Sequence, residues 1–185
     1  MAWSEAVTIL EPASEPVSIA EAKEFVSIEN EIVEFDTLLS SFIGAARAHL
    51  EAMTGTRLIE QTVELHADSW ADLLSLPIGP VSAIVAIAYD DIDGAEQVVD
   101  AAVYELTGAG LARGIRTAVG QVWPSDHRRS AGAIRVQLTL GYSALPKPLW
   151  TAMLLMVGDL FANRENGVGM PGVPADLISN YRIWL

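Results

Sequence analysis

Apolar residues along this chain follow three different spacings. From Ile32 to Met53, the residues Leu39, Phe42, Ile43, Ala46, Leu50 and Met53 recur at steps of three and four, which predicts one apolar stripe on an α-helix. Gly55 follows where a left-handed cap would end that helix. Upstream, Ser18 and Glu21 form a Ser-x-x-Glu capping box, predicting a short helix over 18–26 behind an extended arm that contains Pro16. Residues 1–15 alternate too irregularly for a strand and are read as that arm. The acidic link 27–31 joins the two helices.

The texture changes at Leu58. The run Leu58 to His66 has the β-branched content and partial alternation of a half-buried strand. After Pro77-Ile78-Gly79-Pro80, Val81 to Tyr89 reads as a more buried strand, and Asp93-Gly94 as a hairpin turn returning through Gln97-Val98-Val99. Further strands are expected at Val103 to Leu106 and Ala133 to Tyr142. The glycine-rich stretch Gly108 to Ser130 between them is expected to be loop or short strand. Helical spacing returns after Pro146-Lys147-Pro148 with Trp150, Met153, Leu154, Val157, Leu160 and Phe161, predicting a helix over 148–163. Residues 166–172 break it. Gly167, Gly169, Pro171, Gly172 and Pro174 form a hinge before a short apolar tail, 175–185, expected to be mobile or loosely packed in the isolated subunit, the alternative being a tail folded back on its own core.

These elements make the chain α+β: a small helical bundle of two N-terminal helices plus a returning C-terminal helix, with an inserted antiparallel β domain. The expected boundaries are 1–57 for the arm and helices, 58–145 for the β domain, and 146–185 for the last helix and tail.

Composition adds two points. Half the residues are hydrophobic (51%) with mean hydropathy +0.31, which fits either a subunit interface or an Ala-rich sequence that inflates the index. The formal charge is -13, and residues 1–36 hold nine acids against the single base Lys23. Such a surface repels phosphate, so sequence-independent nucleic-acid binding is not expected there; it fits a solvated face or a docking surface for a basic partner. The chain has no cysteine, hence no disulfide or thiolate site. No basic region leads into an apolar run at the N-terminus, and the apolar run Pro148 to Gly158 is too short for a membrane helix. The protein is expected to be cytosolic when made.

Candidate chemistry is sparse. His49, His66 and His127 share no ligand spacing, so no metal or cofactor is expected. Asp90-Asp91-Ile92-Asp93-Gly94 has the acids of a calcium loop, but its first ligand position would fall on Tyr89. Gly108-Ala109-Gly110 lacks the third glycine of a dinucleotide fingerprint, and no serine sits in a nucleophile elbow. No catalytic residue is assigned, and the chain is not expected to be an enzyme. Arg113, Arg116, Arg128 and Arg129 fall within 17 residues of an otherwise acidic chain. They fit either a contact with a neighbouring subunit or a DNA channel, or solvated residues pairing with acids such as Asp126.

Three stretches together resemble the head-tail connector (adaptor) family of tailed phages and gene transfer agents, in its longer members with an inserted β domain. They are Glu15 to Lys23; Ala45 to Ile59, with Met53-Thr54-Gly55-Thr56-Arg57; and Gly141-Tyr142 through Pro146-Lys147-Pro148-Leu149 to Asn163-Arg164-Glu165. The tail Tyr181-Arg182-Ile183-Trp184 completes the order. The resemblance implies a structural virion protein forming a ring, dodecameric in the particle, between portal and tail. Its other neighbour would be a tail-proximal connector or stopper, and DNA would pass through the channel without sequence-specific binding. It implies a place at the head-tail interface of the virion after synthesis in the host cytoplasm, with no membrane. Portal docking would fall on Leu177, Ile178, Tyr181, Arg182, Ile183 and Trp184. The alternatives are a tail-completion or other virion structural protein and, in a different class, a small-molecule enzyme with an unrecognised site.

Overall fold

The computed structural model describes residues 3–4, 6–10, 12–127, 130–165 and 172–183. The chain forms two compact units. A sheet unit takes Met1–Glu11, Glu60–Gly141 and Ile183–Leu185; a helical unit takes Pro12–Ile59 and Tyr142–Arg182. The fold is α+β, as the hydrophobic spacing predicts.

In the sheet unit, strands β1 (Val7–Leu10), β2 (Gln61–Ala67), β3 (Val81–Asp90), β4 (Glu96–Val98) and β7 (Ile134–Leu140) form one sheet in the order β1-β2-β7-β3-β4. Every pairing in it is antiparallel. β2 and β7 pair in continuous register from Gln61↔Leu140 to Ala67↔Ile134. Because side chains alternate across a strand, this register puts Val63, Leu65, Ile134, Val136, Leu138 and Leu140 in the core. Glu64, His66, Arg135 and Gln137 occupy the other face. β3 has two register irregularities against β7, so its apolar run is not uniformly buried.

One segment differs from expectation here. Part of the arm is a strand: β1 pairs with β2 at the sheet edge, and Trp3 bridges to Ala67. Val7, Ile9 and Leu10 are all exposed, so the edge strand lacks the in-and-out pattern by which strands are recognised. As expected, a strand falls near Val103–Leu106 and a short one within the glycine-rich stretch: β5 (Tyr104–Ala109) pairs with β6 (Ala112–Thr117) in a hairpin. It turns at Gly110 with φ 60, and Gly114 lies so close to the Leu74 carbonyl that a Cβ would sit 2.1 Å from its oxygen.

The helical unit contains α1 (Ile19–Phe25), α2 (Asp36–Thr54), α3 (Lys147–Ala162) and α4 (Ala175–Ile178). The capping box forms as spaced: the Ser18 N–H donates to Glu21 Oε2 at 2.8 Å, and the Glu21 N–H donates to Ser18 Oγ at 3.2 Å. Helix α2 ends at Gly55 with φ 69. It starts at Asp36 rather than Ile32. Lys23 is the reason: it is 3% exposed, its ammonium donates to the Asn30 carbonyl at 3.0 Å, and it pairs with Asp36 at 2.5 Å. That clasp holds 29–34 in turns where the helical spacing alone would continue the helix. The core joins Leu39, Ile43, Ala46 and Leu50 of α2 to Leu149, Ala152, Met153, Met156 and Val157 of α3.

The tail is the clearest correction. It is not loose over its described part: Ile178 is 5% exposed within the helical core, and Val173, Leu177 and Tyr181 pack against that core. Tyr142 and Tyr181 meet edge to face at 6.4 Å, and burial pushes the Tyr142 hydroxyl up to about 12. Burying these side chains at home offsets the cost of exposing an amphipathic helix. Trp184 and the hinge residues Gly167, Gly169 and Pro171 lie outside the described residues.

Candidate assembly interface

Three surfaces carry the residues that a binding role would use. The tail presents Arg182 exposed and Tyr181 and Ile183 half-buried, with Leu177 half-buried and Ile178 turned inward. The apolar docking set read from the sequence is therefore divided between a core function and a surface.

The second surface is the hairpin side of the sheet unit. Arg116 donates its Nε–H to Glu105 at 2.7 Å across the β5–β6 ladder, so its partner is Glu105 rather than Asp126. Asp126 instead accepts from the Tyr89 hydroxyl at 3.1 Å. Arg113 is half-buried, and its buried Nε has no acceptor among the described residues. Arg128 and Arg129 lie outside the described residues. The turn after β6 exposes Val119 and Val122, a pair that periodicity arguments passed over because each is a single aliphatic in a polar loop.

The third is the link 27–35, where Glu29, Glu31, Ile32, Val33 and Glu34 are all exposed. Its acidity is plain in the sequence. Its rigidity is not, because that rests on the burial of Lys23.

The histidines take structural positions. His66 meets Glu64 at 3.0 Å on the outer sheet face. His127 Nδ1 accepts from the Trp70 Nε1–H at 3.2 Å, beside a Trp70–Trp123 stack with centroids 4.6 Å apart. A cleft of about 530 Å³ opens there, lined by Asp68, Ser69, Trp70, His127, Ser130 and Ala131. Its polar groups are spent on the chain itself: Asp68 Oδ1 accepts the Gly132 N–H at 2.7 Å, and Ser69 Oγ donates to Asp72. Asp90 and Asp91 of the apparent calcium loop are likewise occupied, Asp90 by Arg135. Asp91 accepts from the N–H groups of Asp93 and Ala95 and from Gln97, and the Gln97 bond holds its carboxyl below the usual range. No group of three or more acidic, histidine or cysteine side chains among the described residues is arranged to hold a metal. No helix there is long and apolar enough to cross a membrane.

Convergent polar groups around an empty pocket mark a reaction site, whereas exposed aliphatics beside unlike charges mark a contact between proteins. Comparison with known proteins shows what the chain is similar to. No family model matches the chain, and no curated protein matches it. Solved structures do. A chain in the virion of a native gene transfer agent (GTA) particle superposes with TM-score 0.77 at 25% identity, covering 98% of this chain and 97% of that one. A chain in the neck of the native GTA particle, computed with C12 symmetry, gives 0.69 at 26% identity over 96% of both. The neck of the empty GTA particle, computed with C6 symmetry, gives 0.78 at 24%, a likeness of fold. The similarity runs through both units, including the β insertion.

Proposed function

We propose that this chain is a structural subunit of a virion neck, a head-tail connector (adaptor) that forms a ring between portal and tail and extends the DNA channel. The observation that carries the reading is the end-to-end match at 25% identity and TM-score 0.77 to a chain of the native GTA virion. The twelvefold symmetry of one matching neck supports a dodecamer in the particle. Its neighbours in this reading are the portal above and a tail-proximal connector or stopper below, and its location is the virion after synthesis in the host cytoplasm. The role needs no turnover, metal or cofactor. The net charge of -13 suits a channel through which DNA passes without being held.

Portal docking is assigned to the tail, in a divided form. Tyr181, Arg182 and Ile183, with Trp184, contact the portal; Leu177 and Ile178 brace the segment from inside the helical unit. The test is genetic and direct. Particles assembled without this protein should be DNA-filled heads lacking tails, and restoring a tagged copy should place the tag at the neck in electron micrographs. Tailed particles forming normally in its absence would refute the connector role. An Arg182→Glu variant that attaches as well as wild type would remove the tail from the docking surface.

A further inference from the structure

Two exposed surfaces of this chain pair apolar side chains with charges of opposite sign. The α1–α2 link exposes Ile32 and Val33, at 40% and 71%, with Glu29, Glu31 and Glu34 around them. It is held in place rather than free: the Lys23 ammonium grips Asn30 from within and Asp36 at its end. The Ile32 N–H donates to the Glu29 carbonyl, and the Asp36 N–H to the Val33 carbonyl. On the sheet unit, β6 carries Arg113 and Arg116 and runs into the turn 118–122. There Val119 (96%) and Val122 (81%) are the most exposed large apolar side chains among the described residues. Residues 104–122 hold two arginines and one glutamate in a chain whose net charge is -13. Arg116 stays 61% exposed despite its pairing with Glu105.

We infer that the 29–34 link of one copy docks on β6 and the 118–122 turn of the next copy, and that this contact, repeated, closes the ring. The inference rests on the ring reading above. Charge selects the pairing. Packing the link against a second link would set three glutamates against three more, whereas packing it on β6 and the turn sets them beside the exposed Arg116. A contact between unlike surfaces is heterologous, and heterologous contacts that close generate rings rather than two-fold dimers. The apolar pairs Ile32/Val33 and Val119/Val122 form the centre and the charges the rim, the usual anatomy of a specific interface. The Lys23 clasp lowers the cost of association, because the link is ordered before binding.

The chain contains no cysteine, so engineered pairs report this contact without background. Val33→Cys and Val119→Cys chains, mixed at assembly concentrations and mildly oxidised, should give disulfide dimers about tenfold above a mixture of Val33→Cys with Val98→Cys, as expected for a steered encounter. One chain carrying both changes should give a ladder of covalent oligomers. The pair Ile32→Cys and Val122→Cys repeats the measurement at independent exposed positions. Charge is tested by exchange. A Glu31→Lys/Glu34→Lys chain and an Arg116→Glu chain should each couple poorly alone and recover when mixed, since each then offers the other an unlike surface. Dimers from Val33→Cys alone at the mixed-pair yield would overturn the inference, as would both cysteine pairs staying at the control level. If the protein enters particle necks but neither pair couples there, this contact is wrong and the connector reading stands. If the pairs couple but the protein never enters a neck, the contact stands and the connector reading falls.

Discussion

Glu64, His66, Arg135 and Gln137 lie on the outer face of the sheet, whereas Lys23, Glu51, Thr54 and Thr56 are buried in the helical unit. Gln61 of β2 apart, which is 4% exposed, the sheet keeps its charged groups where water helps to satisfy them. Gln137 and His66 both bond Glu64, the Gln137 bond holding its carboxyl below the ordinary value, and Arg135 reaches Asp90 and Glu96. The helical unit places polar groups inside, at points where the chain reverses. Lys23 shapes the link before α2. Beyond α2, Glu51 Oε1 accepts the Leu58 N–H at 2.9 Å, and the Thr54 and Thr56 hydroxyls bond each other at 2.7 Å. Surface pairs contribute little to stability, while a buried polar group must keep its partner or incur its desolvation cost. The sheet is therefore held by apolar register, and the helical unit by apolar packing plus a few buried polar ties.

The contrast is broken most severely by attacking the apolar parts. Leu138→Ala, in the central strand β7 and fully buried, should cost about 3–4 kcal/mol in denaturant unfolding, the range for a large-to-small change in a rigid core. A cost below about 1 kcal/mol would mean that the sheet core is not the packed centre described. Ile178→Ala should follow at about 2–3 kcal/mol, since α4 belongs to the helical core. Unchanged stability would restore the free tail.

Lys23→Met tests the buried ties. It keeps the aliphatic stem but removes the ammonium from Asp36 and Asn30; Asp36 is about a third exposed, so its carboxylate regains water. The expected loss is about 2 kcal/mol, less than for a fully buried broken pair. Faster hydrogen exchange should be confined to residues 27–36, and exchange spread evenly over the helical unit would deny the clasp its local role.

Glu51 gives a pH signature. Burial holds its carboxyl above the ordinary value of 4.5, against the opposing pull of the Leu58 N–H, Arg57 and Arg47. The folded state then binds more protons than the unfolded state just above pH 4.5, so this group's contribution falls as pH rises through that window. Glu51→Gln keeps an acceptor for the Leu58 N–H and abolishes the titration, so its denaturation midpoint should fall less steeply above that pH than wild type's. Identical slopes would reject the assignment. At the small end, Glu96→Gln on the outer sheet face should change stability by less than about 0.5 kcal/mol, as exposed ion pairs do. A loss several times larger would make the sheet face as dependent on charge as the helical interior.

Much of the architecture was readable before any coordinates. The Ser18/Glu21 box, the Gly55 cap, the Asp93-Gly94 turn and the α2 and α3 stripes each depend on residues a few positions apart, so local spacing contains the whole signal. Edge strand β1 escaped because both its faces are exposed, whereas β5 falls where Val103 to Leu106 predict a strand. The candidate interface was legible only as charge. The front-loaded acids and the arginines at 113 and 116 are visible in order, but not which of them is already paired.

Sequence alone determined where helices and strands begin to be favoured, the acidic balance, and the lack of thiol chemistry, because composition and short-range periodicity decide those. Tertiary structure decided the rest. It buried Lys23 and so delayed α2 to Asp36, it turned Ile178 inward, and it left Val33, Val119 and Val122 facing water. Each of these depends on what residues distant in the chain bring to the same place, and burial is a property of that meeting rather than of any one residue.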